Sequence, residues 1–250
     1  MYISTKDWLA YTDRMSKLSN KASQLIRDYV RKNGGLNEID VDDLIQYAYS
    51  VAQKYSNGSA ALSAQMYDAI ADLSGKFIDP AEMAANPTFG EVAKTVHGVL
   101  KSSMNEEEIG GAVGRLVKRT GVRTTLHNAR RDGAQFAWIP QGDTCAFCIT
   151  LASRGWQDAQ KADHAEHIHS NCDCEYAIRF DTNTNVEGYD PDEYYQQYAE
   201  AEGNTPKEKI NSMRRKYYAE NREEILSQKA DAYAKRQELN SSEAEETKVN

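Results

Sequence analysis

The four cysteines of this chain all fall between residues 145 and 174, as Cys145-x-x-Cys148 and Cys172-x-Cys174. Asp143 precedes the first pair, and His164, His167 and His169, three of the five histidines, crowd the approach to the second. Two short-spaced thiol pairs separated by a loop suit a tetrahedral structural zinc site. Each pair lets one tight turn present two thiolates, and the loop lets two turns converge on one ion. A unit of about 45 residues buries little core, so a metal is a suitable staple for it. Disulfides and buried thiols are the other readings. The opening "MYISTKDWLAYTDRMSKLSN" is charged and has no apolar core, so no secretory route is expected and the thiols are expected to stay reduced. Buried thiols alone explain neither the spacing nor the histidines.

Catalytic zinc fits the pattern less well. Deaminases carry His-x-Glu ahead of Pro-Cys-x-x-Cys, whereas His164-Ala165-Glu166 follows the Cys-x-x-Cys here and Thr144 stands where the proline belongs. The His-Glu-x-x-His helix of metalloproteases is absent from the sequence. The alternative function from another class is a zinc-dependent nuclease or related hydrolase acting on nucleic acid. It needs a vacant coordination position and a general base such as His164, Glu166 or His167.

Charge and hydropathy narrow the class. Of 250 residues, 40% are hydrophobic and 27% charged, a balance that suits long exposed helices better than one compact enzyme. No apolar run approaches the ~20 residues that span a bilayer, so no membrane partner is expected. The net charge of −8 argues against nucleic-acid binding by the whole chain. Residues 181–250 hold 16 acidic and 10 basic side chains and supply most of that charge. The stretch 114–131 is locally basic (Arg115, Lys118, Arg119, Arg123, Arg130, Arg131). It reads either as a solvated helix face or as a local DNA phosphate contact.

Periodicity organises the rest. Apolar steps of three and four predict a helix over 6–32 capped by Thr5 and ended by Gly34-Gly35. A second starts at Asp40, with Asp42 and Asp43 suiting its dipole. Asn57-Gly58 is expected to interrupt it, and a third helix to run to about Ser74. Pro80 and Pro87 bracket a loop, Thr88–Leu100 reads as helix, and "EEEIGGAVGRLVKRTG" after Asn105 reads as helix with Gly121 as a stop. Residues 121–134 continue as helix. "QFAWIP" then alternates as a strand, the first thiol pair sits in a turn before one helical turn, and "EYAIRF" closes as a strand. A polar linker "DTNTNVEG" leads to a short helix from Pro191 and a long charged helix from Pro206 to Leu239, followed by an acidic tail. The expected fold is mainly α with a small α+β zinc-binding module. An N-terminal helical domain spans 1–120, a metal-stapled unit 121–180, and a linker with a charged helical arm and tail 181–250.

The stretches "WIPQGDTCAFCITLASRGW" and "HIHSNCDCEYAI" resemble the phage head-morphogenesis, or minor capsid, proteins of the Mu F-like group. The family's Asp, Cys-x-x-Cys, Gly and His-x-x-Cys-x-Cys fall on Asp143, Cys145, Cys148, Gly155, His169, Cys172 and Cys174, and its aromatic-led strand on Trp138 to Pro140. Ser170 stands where many relatives carry proline. The resemblance covers about 136–180, with a looser match in the tail. It implies a bacteriophage virion component, non-enzymatic, associated with the portal, capsid or scaffold proteins. That component would lie in the capsid interior after assembly in the host cytoplasm. Cys145, Cys148, Cys172 and Cys174 are the expected ligands of a structural Zn2+, with His169 competing to replace Cys172 or Cys174. Four such ligands close the site to water. Asp143 is expected to cap the first turn, and Trp138 and Trp156 to pack as lids.

Overall fold

The computed structural model describes residues 2–102, 105–141, 144–161, 174–227 and 230. Its frame is four helices: α1 (Thr5–Lys32), α2 (Val41–Leu73), α3 (Phe89–Ser102) and α4 (Glu106–Asp132). Their ends follow from capping chemistry. Ser4, rather than Thr5, caps α1 by accepting from the Asp7 amide at 3.1 Å. Asp40 accepts from the amides of Asp42 and Asp43 at the start of α2. Asn105 caps α4, whose first turn carries Glu106, Glu107 and Glu108. Thr88 and Glu91 hold the start of α3 reciprocally.

Two expected interruptions are absent, for one physical reason. α2 runs unbroken through Asn57-Gly58, and α4 through Gly121. These glycines mark close approach between helices. A Cβ at Gly58 would sit 3.3 Å from Leu18 of α1. A Cβ at Gly121 would meet Met15 at 2.5 Å and the hydroxyls of Ser59 and Ser63 at 2.6 and 2.7 Å. Gly110 and Gly114 lie one turn apart on α4 against the backbone of α1, with Ser23 O at 2.7 Å and Ser19 O at 2.8 Å from the missing Cβ atoms. In sequence Gly58 and Gly121 read as helix breakers because tertiary contact is invisible to local propensity.

Between α2 and α3, residues 76–88 cross the bundle as an irregular strap. Side chains from the flanking helices satisfy its backbone. Asp68 accepts from Ala81 N (2.9 Å), Asn128 accepts from Glu82 N (2.9 Å) and donates to Glu82 O (2.8 Å), and Thr124 accepts from Ala84 N (3.0 Å). Arg131 donates to Asp79 O at 2.8 Å.

A three-stranded antiparallel sheet packs on this frame in the order β3 (Gln157–Asp158), β2 (Gln135–Ile139), β4 (Glu175–Arg179). The expected strands at "QFAWI" and "EYAIR" both form and pair with each other. Their core is continuous with the helices. Phe136, Trp138, Tyr176 and Ile178 share one buried cluster with Trp8, Tyr11 and Met15 of α1, Tyr67 of α2 and Leu126 of α4.

The polar linker expected over 181–188 is a clasp. β1 (Tyr2–Ile3) pairs in parallel with β5 (Asn185–Val186), and Val186 is buried. Glu187 accepts from the Thr5 amide (2.8 Å) and hydroxyl (2.9 Å) at the first turn of α1, where the helix dipole favours negative charge. Beyond it, α6 (Pro191–Glu200) and α7 (Pro206–Glu220) pack against the helix that carries the first thiol pair. The long helix expected from Pro206 is capped at Asn221, and helix resumes over 222–227.

Candidate metal centre

The first thiol pair enters on α5 (Ala146–Ala152). Cys145 is the N-cap residue, with extended backbone at φ −70° and ψ 154°. Cys148 is one helical turn further on, so spacing by three puts both on one side of the helix start. The expected tight turn is therefore a helix N-terminus. Cys145 is exposed and Cys148 is fully buried. Gly155, at φ +61°, turns the chain after α5 and lies against Pro191 of α6.

Cys174 reaches the same neighbourhood through strand register. β2 and β4 pair antiparallel with Ile139 opposite Glu175. Cys174 therefore stands at the end of the pair from which the chain leaves β2 towards α5. Cys148 and Cys174 are both buried in the cluster that holds Trp138, Ile139, Ala152 and Tyr176. α6 covers this end. Burial and the nearby charge of Cys174 push the Tyr194 phenol up, and Tyr189 donates to Ala152 O at 2.8 Å, satisfying a carbonyl in the last turn of α5.

The remaining members of the expected ligand set, His169 and Cys172, lie outside the described residues, as do Asp143, His164, Glu166 and His167. Among the described residues no group of three or more His, Cys, Asp or Glu side chains is gathered to hold a metal ion. The members of the expected set that the structure describes, Cys145, Cys148 and Cys174, are all thiols, and thiolate donors suit zinc.

The two tryptophans differ. Trp138 is a core residue, edge-on to Tyr176 at 4.4 Å between ring centroids. Trp156 is half-buried, with the Arg179 guanidinium over its ring at 4.6 Å. Arg179 also donates to Gln135 Oε1 at 2.8 Å, tying β4 to β2 at the end of the strand pair away from Cys174.

A pair that the sequence reading missed lies directly beneath. Lys118 of α4 and Glu175 of β4, the residue after Cys174, form a buried ion pair at 3.0 Å, with side chains 4% and 1% exposed. Tyr11 lies in the same interior, with its hydroxyl 3.2 Å from Ser63 Oγ. Burial and the charge of Glu175 push its phenol far above the ordinary range, so it stays protonated. Lys118 lies in the basic stretch 114–131, and the structure gives most of that stretch internal work. Arg119 and Arg123 pair with Glu91 at 2.8 and 3.4 Å, Arg130 donates to Ala159 O, and Arg131 pairs with Asp132. The surviving signal in the sequence was the single acid that opens an otherwise apolar strand, "EYAI".

These features define a mainly helical protein with a small sheet, with Cys148 and Cys174 buried in one cluster. The chain belongs to the VG15 protein family, a viral, phage-related family whose model matches residues 2–201. The match spans the clasp, the helical frame, the sheet and α6. Comparison with curated proteins and with solved structures gives no match. Among the described residues no helix is long and apolar enough to cross a membrane.

Proposed function

We propose that this chain is a minor capsid, or head-morphogenesis, protein of the Mu F-like kind: a non-enzymatic virion component that meets the portal and the capsid or scaffold proteins from the capsid interior. One structural zinc, held by Cys145, Cys148, Cys172 and Cys174 or with His169 in place of one of the last two, ties α5 to the end of the β2–β4 pair. A closed thiolate site leaves no position for an attacking water, so the ion is architectural. Its free energy of binding contributes to folding of the segments it joins.

The observation that carries this reading is the register of β2 and β4, which puts Cys174 at the end of the pair from which the chain leaves β2, within a chain of a viral family. Quantitative mass spectrometry of purified particles tests the biological half. The protein is expected at a small fixed number of copies per portal, and particles made without it are expected to be misassembled or to lack infectivity. Its absence from purified particles would overturn the assignment.

A further inference from the structure

α7 carries a cationic face whose bases make no ion pair among the described residues, and we infer that this face binds the phosphate backbone of nucleic acid. Lys207, Arg214, Arg215 and Tyr218 fall within about 100° of one another around the helix, by the 3.6-residue repeat. All four are exposed, and Tyr218 is 43% exposed. Met213, on the opposite side, and Ile210, beside the stripe, are partly buried.

The other charges of α7 are already used or point elsewhere. Lys209 donates to the carbonyls of Tyr198, Ala199 and Ala201, closing the end of α6. Glu208 accepts from the amides of Asn204 and Thr205 in the capping box. Glu220 lies more than a quarter-turn away from the stripe, by the same repeat. No ion pair among the described residues involves Lys207, Arg214 or Arg215. Helix-dipole compensation does not account for them either, because the last turn of α7 has no base.

A row of arginine and lysine along one helix face, in a chain of net charge −8, is a local electrostatic footprint for a polyanion. Arginine matches phosphate oxygens with paired donors. Tyr218, within the row, adds a hydroxyl donor and a ring face, and both suit a nucleic-acid strand better than a carboxylate-bearing protein. α7 lies outside the residues matched by the family model, and the proposal is independent of the metal.

Fluorescence anisotropy of the full chain with a 30-base-pair duplex, across a salt series, tests this. Three phosphate contacts give a slope of about −2.7 in log K against log salt, a loss of about 40-fold between 50 and 200 mM. R214Q/R215Q is expected to weaken binding at 50 mM and reduce the slope to about −0.9. It should leave the circular dichroism and melting curve unchanged because both side chains are exposed. Lys94→Gln, an exposed base on α3, should change the slope by none of this. Absence of binding at 50 mM salt, or an unchanged slope in R214Q/R215Q, overturns the proposal. Displacement of the duplex by polyglutamate at equal charge concentration also overturns it, in favour of an acidic protein surface.

Discussion

Taking an ammonium and a carboxylate out of water together costs several kcal/mol per ion, which their mutual attraction offsets only while both remain. Lys118 and Glu175 are in that position, joining the middle of α4 to the strand that begins beside Cys174. Lys118→Met is therefore expected to destabilise the chain by about 3–5 kcal/mol, because it strands the carboxylate. The double change K118M/E175L should recover most of that loss. Urea unfolding of the two single variants and the double variant measures the coupling; additive losses would mean that the two side chains do not act as a pair. No periodicity could have found this contact. A lysine at position 118 fits a solvated helix face as readily as a buried one, and only the packing of β4 on α4 decides between them.

At the scale of elements, close crossings and the strap dominate. Gly114→Ala drives a methyl to 2.8 Å from a backbone carbonyl of α1, which no rotamer change relieves. A cost of about 1–3 kcal/mol is expected, although alanine is the better helix former. A variant at least as stable as the parent would show that α1 and α4 do not meet there.

The strap and the start of α3 are held by carboxylates. Glu91 lies below the usual range because the Thr88 amide donates to it and Arg119 and Arg123 attract it. Asp132, which burial alone would raise, is held low by hydrogen bonds from Arg131 and Tyr67 and by the charge of Arg131. Both groups bind fewer protons folded than unfolded. Their contribution is thus fully present above the unfolded values near 4 and is lost as pH falls through the lower folded ones. Melting temperatures from pH 7 down to pH 2.5 should fall in that window, and Glu91→Gln should flatten part of the decline. An identical decline in Glu91→Gln would remove Glu91 from the account.

Elements whose cause is local were legible in the sequence. Asp40, Asn105 and Pro191 announced the starts of α2, α4 and α6, and the alternation of "QFAWI" and "EYAIR" announced β2 and β4. Elements caused by contact were not. Gly58 and Gly121 look the same in sequence whether they end a helix or let another approach. β1 and β5 are two residues each, too short for any period to register, and they exist because Ile3 and Val186 bury together. At the site, spacing alone singled out Cys145, Cys148 and Cys174. The turn before a helix and the strand after Cys174 were legible too; that Cys145 is itself the N-cap of α5 was not.

For the whole molecule, one buried cluster runs from α1 through α4 into the sheet, and α4 passes residues 120 and 121 without a break. The thiol-bearing end is thereby built onto the helical frame rather than tethered to it. The proposed ion would join α5 to β4, segments already packed against that frame, so its removal is expected to lower the stability of the chain as a unit. Zinc content of the purified protein, measured by elemental analysis beside Cys148→Ser and Cys174→Ser, tests this most directly. The account predicts one zinc per wild-type chain, lost in both variants together with a lower melting temperature that a chelator reproduces in the wild type. Wild-type protein without zinc, or with zinc retained when Cys148 and Cys174 are both replaced, would contradict it.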